Sequence, residues 1–143
     1  MGKKRIIKKV GHDAGVAKAR SLSRTSKKRI ERGVLYIRAT YNNTALLLTD
    51  PTGNAILTSS SGALGYKGSK KGTPYAAGKV GELLAEKAQA IGLKEVDVII
   101  KGVGSGRESS VRSFIAKGIN ISSIKDRTPV PFNGPKPPKP RRV

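Results

Sequence analysis

The amino-acid sequence predicts an α/β domain with a mixed sheet, the element order β-β-β-α-β-α-β, and basic extensions at both ends. Three strand-like runs in the first half are separated only by turn residues, which indicates antiparallel neighbours. Glu95–Gly118 then reads as a strand, a glycine loop and a helix. Because a strand–helix–strand crossover makes its two strands parallel, we expect both kinds of pairing in one sheet.

The three runs of the first half predict a meander. They are Val34–Tyr41, Thr44–Thr49 and Asn54–Ser60. Asn42 and Asn43 join the first two strands, and because asparagine tolerates a positive φ, the pair suits a two-residue hairpin turn. The next connection, residues 50–53, has proline second and glycine fourth, which is typical of a β-turn.

Two helices are predicted in the second half. Thr73, followed by proline, predicts the N-cap of a helix whose apolar face runs as far as Gly92. In the second helix, Ser105 and Glu108 have the spacing of a capping box. Gly118 is placed to supply the left-handed residue that ends this helix.

The strand before the glycine loop is apolar on both faces. Val96, Val98 and Ile100 recur with period two, and Ile99 makes the other face apolar as well. Such a strand belongs in the middle of a sheet that is covered from two sides. A last strand is predicted at Ile119–Ile124. We therefore expect helices on both faces of the sheet.

The distribution of charge indicates the kind of partner. The formal net charge is +20, and residues 1–33 carry twelve Lys or Arg against two acids, a net of +10. Residues 125–143 carry six against one, a net of +5. Isolated in water, such ends would repel themselves and stay disordered. A polyanion is the natural partner, and the release of its counterions would drive binding.

The loop that contains Gly102, Gly104 and Gly106 is a candidate anion site. It precedes a helix, so its backbone N–H groups face the end of the helix dipole that favours anions. Arg107 lies on the loop and Arg112 lies further along the helix. An ordinary strand-to-helix turn that needs glycines for tight geometry is the alternative.

Residues 61–72 are a second candidate for nucleic-acid contact. This loop has four glycines, the cations Lys67, Lys70 and Lys71, and the aromatic Tyr66. The glycines allow close approach of the backbone to a ligand, and the tyrosine can stack on a base or sugar. A solvated surface loop is the alternative.

Composition excludes several classes of site. Without cysteine there are no disulfides or thiolate metal sites, and His12, the single histidine, argues against a catalytic triad or a multi-histidine metal site. No apolar run approaches the length that spans a membrane. A nuclease would need several acids that converge on the sheet, and only Asp97 lies on a strand near its centre. We therefore expect no enzymatic activity, no metal and no cofactor.

Five sequence blocks, taken together, resemble the S-eleven family of small-subunit ribosomal proteins. The blocks are YNNT (Tyr41–Thr44), TDPTGN (Thr49–Asn54), GALGYKGSKKGTPYAA (Gly62–Ala77), KGVGSGRES (Lys101–Ser109) and IKDRTPVPFNGPKPPKPRRV (Ile124–Val143). Each block alone is a weak signal, but all of them stand in the order of the family. The resemblance covers the chain from about Gly33 to Val143.

The resemblance implies a ribonuclease-H-like sheet without catalytic activity, in a structural constituent of the small ribosomal subunit. It implies binding to small-subunit rRNA at the platform, beside neighbouring platform proteins and near the exit path of the mRNA. A general RNA-binding protein with no fixed site is the alternative. We expect neither a membrane nor a small-molecule substrate as partner. The expected location is the cytoplasmic ribosome, and the basic, acid-poor N-terminus leaves an organellar ribosome open.

The chain departs from the family at several positions. Family members usually have histidine where Phe132 stands, cysteine at Pro135, arginine at Lys136, and lysine or arginine at Pro140. Phe132 can stack but cannot donate a side-chain hydrogen bond, and Lys136 keeps the charge while it loses the bidentate fork of arginine. Val103 stands where the family often has proline, so we expect a freer loop there.

We predict three segments and one set of binding residues. Residues 1–32 form a basic RNA-binding arm, 33–127 the globular domain, and 128–143 a proline-rich basic tail. The candidate RNA-binding residues are Lys27, Lys28, Arg29, Asn42, Asn43, Tyr66, Lys67, Lys70, Lys71, Lys101, Gly104, Arg107, Arg112, Lys125, Arg127, Asn133, Lys136, Lys139, Arg141 and Arg142.

Overall fold

The structure is a computed structural model, and it describes residues 29–140. Within these residues, strands and helices follow one another in the predicted order. The elements are β1 (Arg32–Ala39), β2 (Thr44–Thr49), β3 (Ala55–Ser60), a short 3-10 helix (Gly68–Gly72), α1 (Pro74–Ile91), β4 (Glu95–Gly102), α2 (Gly106–Ile115) and β5 (Asn120–Asp126).

The five strands form one mixed sheet with the order β3-β2-β1-β4-β5. β1 and β3 are each antiparallel to β2, and β4 is parallel to both β1 and β5. The predicted α/β class and the mixed sheet are therefore confirmed.

β1 begins at Arg32, and Ile30 before it packs against the core and donates its N–H to the carbonyl of Ile91 at 3.4 Å. The folded part of the chain thus begins before Gly33.

The core lies between one face of the sheet and the two helices. On β1 the buried residues alternate at Leu35 and Ile37, and on β4 they alternate at Val96 and Val98. Both helices pack on this face, and Phe114 of α2 is fully buried there. The helices also approach each other closely, since a Cβ built at residue 81 would lie 2.6 Å from the carbonyl oxygen of residue 110.

The prediction that helices cover both faces is wrong for the described residues. Both crossovers step in the same direction across the sheet, from β3 to β4 and from β4 to β5, so right-handed connections leave their helices on one face. The other face carries Tyr36, Leu47 and Ile99 next to one another in the register. Tyr36 is 37% exposed there. The apolar side chain of Ile99 was a correct sign of a sheet centre but not of a second helical layer.

Two local predictions are corrected by contacts that cross between elements. The connection from β1 to β2 has four residues, Thr40–Asn43, and the N–H of Thr40 donates to the carbonyl of Asn43 at 2.8 Å. Neither Asn42 nor Asn43 has a positive φ, so the two-residue turn is absent. Ser105 makes no side-chain cap on α2, because its hydroxyl donates to the carbonyl of Gly72 at 2.8 Å. Glu108 instead pairs with a residue of its own helix.

Other boundary signals are confirmed. The hydroxyl of Thr73 accepts the N–H of Ala76 at 3.3 Å and caps α1. Gly92 and Gly118 have the left-handed φ values of 92° and 87°. In the turn at residues 50–53, the N–H of Gly53 donates to the carbonyl of Asp50 at 3.1 Å.

Candidate nucleic-acid interface

The loops that carry most of the candidate residues meet at one edge of the sheet. Parallel strands end at the same edge, so the carboxyl ends of β1, β4 and β5 lie together. The β1–β2 connection and the loop after β3 reach the same edge because β2 begins opposite the end of β3. We call residues 40–43, 61–73, 101–107 and 125–128 the loop edge.

Internal contacts fix these loops to one another. A Cβ built at Gly72 would lie 2.1 Å from the carbonyl oxygen of Tyr41, and one built at Gly104 would lie 2.3 Å from that of Thr40. The N–H of Gly104 donates to the carbonyl of Ala39 at 3.1 Å. The glycines are therefore required for close packing within the protein, as the ordinary-turn alternative predicts. The N–H of Gly104 is already used, and its contact with RNA stays a prediction.

Arg107 holds the start of the tail to the glycine loop. Its guanidinium donates to the carbonyl of Gly102, to the hydroxyl of Thr128 at 3.2 Å and to the carboxylate of Asp126. Asp126 also accepts the N–H of Thr128 at 2.9 Å and its hydroxyl at 2.6 Å. The hydroxyl of Thr128, and then Arg107, lower the pKa of Asp126 from 3.8 to about 2. This arrangement, which we call the tail clamp, sets where the tail leaves the sheet.

The lysines of the second loop have a different environment. Lys67, Lys70 and Lys71 lie on or beside the 3-10 helix, and among residues 29–140 none of them forms an ion pair with a carboxylate. Tyr66 packs edge-on against Tyr75 with ring centroids 6.5 Å apart. This loop therefore presents three cations beside a pair of aromatic rings.

Acidic groups in the described part of the chain do not form a catalytic cluster. No three His, Cys, Asp or Glu side chains of residues 29–140 are grouped so as to hold a metal ion. Asp97 accepts the hydroxyl of Ser123 at 2.7 Å and pairs with Arg32 at 3.5 Å. Ser123 is the main cause of its lowered pKa. No helix among these residues is long and apolar enough to cross a membrane.

A comparison with protein families decides the assignment. The model of the family described as ribosomal protein S11 matches residues 33–142, well over half of the chain. The chain belongs to this family. S11 proteins are structural, non-enzymatic constituents of the small ribosomal subunit, and their partners are small-subunit rRNA and other ribosomal proteins. The resemblance seen in the sequence is therefore confirmed, and the chain is a ribosome-associated protein.

The S11 match includes the tail, whose described residues from 129 to 140 are exposed and form no helix or strand. Lys136 and Lys139 lie on it, and Asn133 has a positive φ of 52°. Phe132, which stands where the family usually has histidine, is 95% exposed. All described tail residues beyond Thr128 are thus accessible to a partner.

The other candidate residues are dispersed. Arg29 precedes β1 and lies at the end of the sheet opposite the loop edge, roughly 25 Å away along an eight-residue strand. Arg112 pairs with Glu108 at 3.3 Å on the exposed side of α2. Lys125, by contrast, belongs to the loop edge and is exposed near the end of β5. Lys27, Lys28, Arg141 and Arg142 lie outside the described residues.

Two exposed aromatic residues at the S11 loop edge were missed by the sequence reasoning. Tyr41 is 78% exposed in the β1–β2 connection, and Tyr75 is 67% exposed in the first turn of α1. Tyr41 is the last residue of a predicted strand, and Tyr75 falls in the first turn of a predicted helix without being singled out. A tyrosine beside loop asparagines or lysines is the signal that would have identified both.

Proposed function

We propose that the loop edge and the C-terminal tail bind small-subunit rRNA at the platform, beside neighbouring platform proteins and near the exit path of the mRNA. The observation that carries this proposal is the set of unpaired cations at one edge: Lys67, Lys70, Lys71, Lys101 and Arg127 have no carboxylate partner among the described residues. Phosphates of folded rRNA would supply the missing negative charge.

The exposed aromatic rings support the same surface. Tyr41 and Tyr75 are exposed and the half-buried Tyr66 packs against Tyr75, and aromatic side chains next to Lys and Arg are typical of contacts with unpaired bases or sugars. The rigid packing of the loop glycines favours a fixed site, since the cations are presented from a preformed edge. The tail clamp fixes Thr128 at the same edge, and Lys136 and Lys139 follow it along the chain.

The test compares a platform rRNA fragment with a scrambled RNA of the same length. The full chain should bind the platform fragment more tightly, and log K should fall against log salt by roughly 0.7 to 0.9 per phosphate contact. Equal affinity for both RNAs would favour the general RNA-binding alternative. An affinity that does not change with salt would contradict the proposal.

A deletion tests the division between body and extensions. Residues 1–28 and 129–143 can be removed without loss of any described contact of Ile30, Arg32 or Thr128. We expect weaker RNA binding with an unchanged thermal unfolding temperature. If the domain melts instead, the extensions are part of the folded core.

We also propose that the ribosome is the cytoplasmic one. Fractionation of cells that express a tagged full chain tests this proposal. The chain should sediment with cytoplasmic small subunits, and sedimentation with the subunits of an organelle would overturn it.

A further inference from the structure

The uncovered face of the sheet carries a groove whose composition differs from that of the loop edge. The register places Leu47, Tyr36 and Ile99 side by side on β2, β1 and β4. These residues line a depression of about 560 Å³ with a predominantly apolar surface. The next residues on the same face of β1 and β4 are Arg38 and Lys101, which are paired in the register. Arg127, directly after β5, also lines the groove. The groove therefore has an apolar floor and a cationic rim at one end.

We propose that this groove binds an extended segment of a neighbouring protein, which inserts an apolar side chain onto the floor and places an Asp or Glu against the rim. Exposed apolar surface of this kind on a sheet marks an interaction site. Arg38 is the rim cation that lies outside the loop edge, and a carboxylate is the group that its guanidinium would recognise. Family membership supplies neighbouring proteins, but the inference does not require the loop edge to bind rRNA.

Two other occupants are conceivable, a terminal segment of this chain and a second copy of it, and charge argues against both. The N-terminal segment of this chain, residues 1–28, has ten Lys or Arg and the single acid Asp13. Residues 129–140 have no acid at all. A second copy would bring its own net charge of +20 against that of the first.

The layout of the groove favours a protein over RNA. A single strand of RNA carries a phosphate at every nucleotide, so it needs cations along its whole path. Here the rim cations stand at one end only. The row of residues on the far side of the floor contains Val34, Asp97 and Ser123, and Asp97 is negatively charged. Leu47 and Ile99, on either side of Tyr36, are aliphatic and suit an apolar side chain better than a base.

Site-specific cross-linking identifies the occupant. A photoreactive amino acid replaces Thr58, which is exposed and lines the groove, in the full chain as it assembles into small subunits. The matched control has the same amino acid at Ala90, which is exposed on α1. We expect the position 58 product to contain a peptide of another ribosomal protein with an Asp or Glu close to its cross-linked residue. A product with rRNA, with residues 1–28, with a second copy, or no product above the control would overturn the proposal.

Charge exchange then tests the recognition itself. Arg38→Glu should lower the amount of the cross-linked neighbour in assembled subunits by about tenfold, because it places like charges together. Replacement of the partner's acidic residue by lysine should restore the neighbour. Thermal unfolding of the Arg38→Glu chain controls for folding. If a folded variant keeps its neighbour, or if the exchange fails to restore it, the groove does not recognise a carboxylate.

Discussion

The two edges of the sheet use the same types of charged residue in different ways. The loop edge has seven Lys or Arg and the single acid Asp126, a net of +6. Residues 29–32, 50–54, 92–95 and 117–120, which we call the opposite edge, have four Lys or Arg against three acids, a net of +1. Here Lys94 pairs with Glu31 at 2.9 Å, and Arg32 pairs with Asp97 at 3.5 Å.

This difference separates charge that serves the fold from charge that is available to a partner. At the opposite edge, Lys94 lowers the pKa of Glu31, as expected for an ion pair within the protein. At the loop edge, Arg107 is the only Lys or Arg of that set with a carboxylate partner in the described chain. The net charge of the whole chain therefore says less about binding than the location of its unpaired cations.

The largest effect is expected from a glycine at the loop edge. Gly102 has a φ of +109°, and a Cβ there would lie 2.0 Å from the carbonyl oxygen of Ala39. Gly102→Ala should lower the free energy of unfolding by about 3 kcal/mol or more, because it combines backbone strain with a clash. Chemical denaturation measures the change.

Gly53 at the opposite edge is the matched control. It also has a positive φ, +98°, but nothing lies within 4 Å of its Cβ position. Gly53→Ala should cost only about 1 kcal/mol. Equal losses for the two variants would show that close packing does not distinguish the edges.

Two double variants compare the lysines of the two edges. Lys67→Ala with Lys70→Ala should reduce the salt slope of binding to a platform rRNA fragment by about 1.4 to 1.8, the value for two phosphate contacts. Lys94→Ala with Lys117→Ala removes the same charge from lysines that pair with Glu31 and Glu86. The Lys94/Lys117 double variant should leave the salt slope nearly unchanged. If both double variants have the same salt slope, the loop edge is not the surface that binds the rRNA phosphates.

The tail clamp should give the stability a dependence on acid. The pKa of Asp126 is about 2 in the folded protein against an ordinary value of 3.8, so the stability that its carboxylate contributes is present above 3.8 and is lost as pH falls towards 2. Asp126→Asn should be less stable than the natural chain at about pH 6. The difference in free energy of unfolding should shrink over this acid range. A difference that is independent of pH would mean that the carboxylate charge is not its source.

The smallest effect is expected from the cap of α1. Thr73→Ala removes the acceptor for the N–H of Ala76 and should cost about 1 kcal/mol. Ser105→Ala should cost less, because Ser105 makes no cap and its bond to the carbonyl of Gly72 is exposed to water. Thermal unfolding of both variants checks this order. A larger loss for Ser105→Ala would show that it matters more to the loop edge than Thr73 does.

Local signals in the sequence predicted the elements well. The predicted bounds of the second strand, Thr44–Thr49, are those of β2, and Thr73 and Gly92 mark the ends of α1 as expected. Each of these signals depends on residues close in the chain. Period-two burial and a cap need no knowledge of what packs against the element.

The errors come from contacts between residues that are distant in the chain. Ser105 has the spacing of a cap, but Gly72, 33 residues away, takes its hydroxyl. Arg107 was predicted as an anion ligand, and the sequence did not indicate that Asp126, 19 residues on, would pair with it. Ile99 indicated an apolar second face of the sheet, but a single apolar side chain does not indicate which element packs against that face. The RNA contacts depend on this tertiary arrangement, so the sequence alone gave their residue types better than their grouping.

The position of β1 in the sheet has a consequence for synthesis of the chain. Its register pairs Arg32 with Glu95, so β1 has a hydrogen-bonded neighbour on only one side until Glu95–Gly102 has been made. Long-range closure of this kind is slow, and an unpaired strand edge can join other chains in the meantime. Because proteins are made from the N-terminus, a product that stops before Glu95 would have a meander and one helix but an open central strand. Such truncated chains should aggregate, whereas those that extend through β5 should fold.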